Sequence, residues 1–157
     1  MIYKDIKDIL ENEDISNRVL GIDLGTKTIG VALSDSSRLI ASPMETIFRK
    51  KTNKDIDKII EMINEHQVSA LVLGYPINMD TTEGKRAQST LSFAKEVEKK
   101  IDLPIILWDE RLSTVAAEKV LIEADMSREK RKKIIDKMAA TYILQGALDR
   151  IKFLHQN

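Results

Sequence analysis

Cysteine is absent from this chain, so no disulfide framework can brace it and no thiolate can hold a metal. Histidine is nearly absent too. With only His66 and His155, a histidine-rich metal site is not expected. Any metal would be held by oxygen ligands, which favours Mg2+ or Mn2+. Neither sign of charge is in excess. Lys and Arg number 25, Asp and Glu number 25, and a formal net charge of zero does not advertise a nucleic-acid binder. No apolar run is long enough to cross a membrane and the N-terminus lacks a signal-peptide pattern, so a soluble, cytoplasmic protein is expected. Internal repeats, low-complexity tracts and interdomain linkers are missing as well. A length of 157 residues with 43% hydrophobic content suits one ordinary domain with a full core.

The balanced total hides an uneven distribution. "FRKK" (Phe48 to Lys51), "GKR" (Gly84 to Arg86) and "SREKRKK" (Ser127 to Lys133) are basic, while the first fifteen or so positions are rich in acid. Such clusters are either solvated helix ends or parts of a basic face.

Hydrophobic spacing divides the chain in two. Ile2, Ile6, Ile9 and Leu10 share a helical face, which predicts a short amphipathic helix in an N-terminal extension, residues 1–17. Residues 18–157 are expected to form a single domain. Its first half reads as an antiparallel meander: "RVLGIDLG" (from Arg18), "TIGVALSD" (from Thr28) and "LIASPMETIF" (from Leu39), with Pro43 marking an edge strand or a bulge. Then the period changes. Ile56, Ile59, Ile60 and Ile63 predict a helix; "SALVLGYP" a buried strand; Ala87, Leu91, Ala94, Val97 and Ile101 a second helix from about Glu83; and "LPIILW" a second buried strand. Two helices follow, over about Ser113 to Glu123 and Ser127 to Lys152. Alternating strands and helices imply parallel pairing. The expected fold is α/β and ribonuclease H-like: a mixed five-stranded sheet, three antiparallel strands then two parallel, with helices on both faces.

Several residues sit where chemistry would explain them better than packing. Asp23 interrupts an apolar strand between Gly21 and Gly25, which are expected to leave space for close approach; the place is unfavourable for a carboxylate unless it bonds into the following turn or holds a charged ligand. Thr26 and Lys27 in that turn offer a hydroxyl and an ammonium to a phosphate. Gly74 ends the next strand without a side chain, at the carboxyl edge where open sheets bind ligands. Asn78 follows it and could contact a phosphate or a base. Asp80 and Glu83 have the spacing of a helix cap. In "IILWDERLST", Asp109, Glu110 and Arg111 close an apolar strand; strand alternation turns one carboxylate toward Asp23, and Arg111 pairs with acid or phosphate. Ser113 or Thr114 suits an N-cap. Asp136 shares a helical face with the small apolar residues Ala139, Ala140, Ile143 and Ala147; the alternative is a carboxylate favoured near a helix N-terminus. Three converging carboxylates repel one another unless divalent cations lie between them. Two cations about 3.5–4 Å apart activate water and stabilise the leaving oxygen in phosphodiester hydrolysis. No serine–histidine or cysteine–histidine arrangement competes as a nucleophile.

Four motifs in this order, "GIDLGTKTIGVALSD", "GYPINMD", "WDERLST" and "IIDKMAA", resemble the YqgF (RuvX-like) family over roughly Arg18 to Ile151. That family is described as Holliday junction resolvases and as nucleases maturing the 5′ end of the small-subunit (pre-16S) rRNA precursor. The resemblance implies catalytic and metal-binding roles for Asp23, Glu110 and Asp136, with Asp109 adjacent, divalent metal dependence and a cytoplasmic setting. Tyr75, where the family usually has leucine, Thr81, where glycine is common, and the helix before Arg18 depart from its pattern.

The expected activity is a metal-dependent endonuclease, a hydrolase of phosphodiester bonds acting on structured RNA or branched DNA. Arg128, Arg131, Lys132 and Lys133 would add phosphate contacts. Cutting two strands of a four-way junction symmetrically would take a homodimer. Two other readings compete. "GIDLGT" also resembles the first phosphate loop of actin-like ATPases and sugar kinases, but those enclose a nucleotide between two such domains and this chain is too short for two, so no nucleotide cofactor is expected. A binding protein without catalysis is the third reading, in keeping with the zero net charge.

Overall fold

Strand β2 (Val19–Leu24) is apolar on both faces because it lies in the middle of the sheet. It pairs antiparallel with β3 (Thr28–Ser34) on one side and parallel with β5 (Ala70–Tyr75) on the other. Beyond β3 lies β4 (Ala41–Phe48), and beyond β5 lies β6 (Ile105–Asp109), again parallel. This computed structural model describes residues 1–77, 84–110 and 127–155, with the backbone alone over 128–137. The predicted helix near Ser113 to Glu123 lies outside the described residues.

The sheet has six strands, one more than the sequence reading expects. The extra strand, β1 (Ile2–Tyr3), adds parallel to the free edge of β6, pairing Ile2 with Ile105 and Tyr3 with Ile106. The N-terminal helix therefore starts later than its apolar spacing suggests, as α1 (Ile6–Asn12), with Asp5 capping it through the Lys7 N–H at 2.9 Å. Ile2 belongs to the strand because an unpaired parallel edge offers hydrogen bonds that an isolated first turn cannot match. Pro43 fits its strand for the expected reasons: β4 is an edge, and its register with β3 shifts between Val31 and Ala32, where Pro43 pairs.

Helices cover both faces. On one, α2 (Thr52–Glu65) and α3 (Lys85–Lys100) bury Ile56, Ile59, Ile63, Phe93, Ala94 and Val97 against Leu20, Ile22, Leu71, Leu73, Ile105 and Leu107. On the other, α1 and the long α4 (Arg128–His155) bury Ile6, Ile9, Ala140, Ile143, Leu144 and Leu148. The β2, β3 and β5 residues under α4 are small (Val19, Ala32, Ala70, Val72), so that helix lies close to the sheet there. Gly21 shows how close: a Cβ there would stand 2.6 Å from Leu144 Cβ and 3.1 Å from the Ala140 carbonyl.

The N-terminal segment thus extends the sheet and completes the α4 side of the core. Ile9 is only 1% exposed. Ile9→Ala is expected to cost about 3 kcal/mol, the usual range for emptying such a site. Urea denaturation measures it, and a cost below about 0.5 kcal/mol would mean that α1 packs too loosely to matter. Among the described residues, no helix is long and apolar enough to cross a membrane.

Candidate active site

The carboxyl ends of β2, β5 and β6 meet at one edge of the sheet. Alternation puts Val19, Gly21 and Asp23 of β2, Ala70, Val72 and Gly74 of β5, and Ile106 and Trp108 of β6 on the face under α4. Glu110 continues that series one residue past β6, where its backbone N–H reaches the Tyr75 carbonyl at 3.3 Å. Asp109 falls on the other face, paired in register with Tyr75.

Gly74 makes the approach of the carboxylates possible. A Cβ on it would lie 2.7 Å from Glu110 Oε1, 3.0 Å from Glu110 Cγ and 2.6 Å from Ile143 Cδ1. The Glu110 side chain therefore occupies the space over residue 74, between β6 and β2, and hydrogen-bonds the Asp23 carboxylate. Burial pushes the Glu110 carboxyl from its ordinary 4.5 up to about 7, helped by the negative charge of Asp23 and the hydrogen bond between them. The Arg86 guanidinium pulls the other way, and Asp109 adds a smaller upward push. Two carboxylates held in contact share a proton near neutral pH. A proton occupies the place where a cation would be attracted, and the hard oxygen donors suit magnesium or manganese.

The shift has a consequence for stability. Between 4.5 and about 7 the folded protein holds a proton on Glu110 that the unfolded chain has released. This contribution is whole below 4.5 and is lost as pH rises through about 7. Its size is on the order of 2 kcal/mol once solvent screening of a half-buried group is allowed for. In EDTA, the stability of wild type minus that of Glu110→Gln should fall from pH 5 to pH 8. A flat difference would remove the coupling.

The flanking glycines serve purposes other than room for a ligand. Above Gly21 the space belongs to Leu144, and Gly25 is held by its own hairpin, its N–H bonded to the Thr28 carbonyl at 2.9 Å. Gly74 gives its space to Glu110 and Ile143, and Gly30 is the open position, where a Cβ would make only ordinary contacts with Ala140 and Asp23. Thr26 and Lys27 are exposed in the β2–β3 turn, beside the strand end that carries Asp23. Asp136 is one helical turn before Ala140 on α4, on the line through Ala140 and Ile143 that runs over the site; its side chain is not among those described. The same holds for Arg128, Arg131, Lys132 and Lys133 on the first turns of α4. Asn78, Asp80, Arg111, Ser113 and Thr114 lie outside the described residues. Among the described residues, no group of three or more His, Cys, Asp or Glu is placed to hold a metal. Arg86 and Arg49 went unremarked as site residues in the sequence. Their only signal there was membership of the basic "GKR" and "FRKK" clusters.

The model of the RuvX family, described as "Holliday junction resolvase", matches residues 17–150. This chain belongs to the RuvX family. RuvX relatives run nearly its full length. A protein of Paracoccus denitrificans named "Putative pre-16S rRNA nuclease" is 51% identical over 154 residues, covering 98% of each chain. One of the same name from Rhodobacter capsulatus is 55% identical over 134 residues, 85% of this chain and 84% of that one. The first alignment takes in most of the N-terminal segment that the RuvX model leaves out. Among solved structures, Thermus thermophilus RuvC in complex with a Holliday junction substrate superposes with a TM-score of 0.58 at 11% identity, over 87% of this chain and 96% of that one. The likeness places the RuvX chain in the same ribonuclease H-like fold.

Proposed function

We propose that this RuvX-family chain is a divalent-metal-dependent endonuclease of the cytoplasm that hydrolyses phosphodiester bonds, acting in 5′-end maturation of the small-subunit rRNA precursor. The observation that carries this reading is the contact of Asp23 with Glu110 over the bare Gly74, at the carboxyl edge of the sheet. The name shared by the relatives supports the RNA substrate.

Asp23 and Glu110 would hold the cations from two strand ends, Asp136 would add a ligand from α4, and Asp109 would support Glu110 from the neighbouring position. When bound, divalent cations supply an activated water and neutralise charge on the leaving oxygen. The chain's own part is to orient and exclude. Ile143 and Trp108 wall the apolar side of the crevice, Gly74 keeps it open, and the carboxylates release their shared proton as the ligands engage. Thr26, Lys27 and Arg86 meet the phosphate, joined by Asn78, Arg111 and the basic start of α4.

A second reading, resolution of four-way DNA junctions, is favoured by the description attached to the family model. It would take a homodimer to make two cuts. Purified protein with magnesium or manganese, offered rRNA precursor and a four-way junction side by side, separates the two. Preferential cutting of the precursor supports the RNA reading. Paired, symmetric cuts in the junction alone would replace it with the second.

A further inference from the structure

Between the first turn of α2 and the side of α3 runs an open groove of about 800 Å³, which shares Leu24 and Arg49 with a smaller recess at the turn that follows Asp23. We infer that a single nucleic-acid strand flanking the cleaved bond runs along this groove, held by its phosphates on Arg49, Lys51 and Lys85. The inference rests on the nuclease reading of the adjacent site and extends it to the path of the substrate.

Charge favours that occupant. In a chain with no net charge, the groove gathers Arg49, Lys51 and Lys85, with Thr52, Asn53 and Ser89 as neutral hydrogen-bonding groups. The one carboxylate in its wall among the described residues, Glu96, is paired with Lys99 at 3.1 Å. A smaller recess of about 210 Å³ shares Arg49, Lys85 and Ser89 and adds Gly25, Thr26 and Arg86. Arg86 is also the cation whose field reaches Glu110. The cationic lining is therefore continuous from the carboxylates to the far end of the groove.

Arg49 is built into position. Its Nη1 donates to the Gly25 carbonyl at 2.9 Å, on the turn that follows Asp23. Its Nε lies 3.6 Å from Asp55, a carboxylate only 3% exposed that also accepts the Lys50 N–H at 3.2 Å. A guanidinium carries five N–H donors, so these contacts fix its plane and leave donors for a phosphate. Neither N-cap residue of the bordering helices, Lys51 or Gly84, makes a side-chain cap hydrogen bond among the described residues, which adds two partial positive ends to the same wall.

The lining also says what is read. Its aromatic residue, Phe93, is buried in the core at 3% exposure, so bases find no stacking surface there. Recognition goes through the backbone and is indifferent to sequence.

The test uses the full chain carrying Asp23→Asn, without metal, and a single-stranded RNA long enough to pass the site. Binding is followed by fluorescence anisotropy across a salt series. Adding Lys51→Ala and Lys85→Ala, both exposed positions, should weaken binding roughly 10-fold and flatten the log–log salt slope by about 1.4, two phosphate contacts at about 0.7 each. Unchanged affinity and slope would overturn the path, and so would full displacement of the RNA by equimolar mononucleotide, which would make the groove a small-anion site. The same two substitutions in protein with Asp23 intact separate the two readings. If wild type cleaves and the substituted protein cleaves and binds equally well, the groove fails and the nuclease stands. If nothing cleaves but binding still depends on both lysines, the nuclease reading fails and the groove stands.

Discussion

Asp23→Asn is expected to lower metal-dependent cleavage by at least about 10³-fold, a loss of about 4 kcal/mol of transition-state stabilisation, and at the same time to stabilise the metal-free protein at pH 8. Both effects come from one charge. In the absence of cations, burial pushes the Glu110 carboxyl up to about 7 and the charge of Asp23, facing it across a hydrogen bond, adds to that push, so above that pH the folded state holds two anions in contact. An amide at residue 23 removes the repulsion and donates an N–H to Glu110, which is worth about 1 kcal/mol at a half-buried site. It also removes the proposed strand-borne ligand, and nothing else on β2 can replace it: Gly21 is covered by Leu144, and Leu24 faces the other core. Gains in stability where a functional charge is lost are the usual trade at such sites. Cleavage by nuclease-free protein and urea denaturation in EDTA are the two readouts. Undiminished cleavage would end the active-site assignment. Lost cleavage together with a destabilised metal-free protein would end the electrostatic account of it.

Gly74→Ala should cut cleavage by roughly 10²-fold or more while costing the fold little. The added methyl would press on Glu110 Oε1 at 2.7 Å and on Ile143 Cδ1 at 2.6 Å. Both are the ends of flexible side chains, so the protein can accommodate it for about 1–2 kcal/mol, the low end of overpacking costs. The carboxylate must move to do so, and misplacing a catalytic group by about 1 Å is enough for a 10²-fold loss. The contrast is Gly21→Ala, where the methyl meets Leu144 Cβ at 2.6 Å and the Ala140 carbonyl at 3.1 Å, atoms of the helix itself. That substitution should lower stability more than Gly74→Ala does, because α4 as a whole must lift. Thermal melts alongside initial cleavage rates compare the two. Normal activity in Gly74→Ala would mean that Glu110 need not occupy the space over residue 74.

Much of the architecture was legible because its signals are local. Asp23 stood out as a carboxylate inside a buried strand, and "LWDE" as a strand ending in two acids. The alternation of side chains was enough to expect Asp109 and Glu110 on opposite faces, and the backbone places them so. Other features were illegible for equally physical reasons. Ile2 has the helical spacing of Ile6 and Ile9, and only the free edge of β6 draws it into a strand. Gly21 and Gly25 read as room for a ligand beside Asp23, yet one is filled by a helix more than a hundred residues away and the other by its own turn. Arg49 and Lys85 read only as members of two basic clusters, either solvated or part of a basic face, since their meeting in one groove depends on how α2 and α3 pack.

By itself, then, the amino-acid order determined the elements, the α/β class, the oxygen-only ligand chemistry and the carboxylates that could serve it. These follow from residue type and short-range period, which need no partner. Tertiary structure alone decided which glycine opens the crevice, that Glu110 meets Asp23 closely enough to share a proton, that Arg86 faces them, and that two distant basic clusters line one groove. Each of these depends on distances between segments far apart in the chain, and those distances are set by packing.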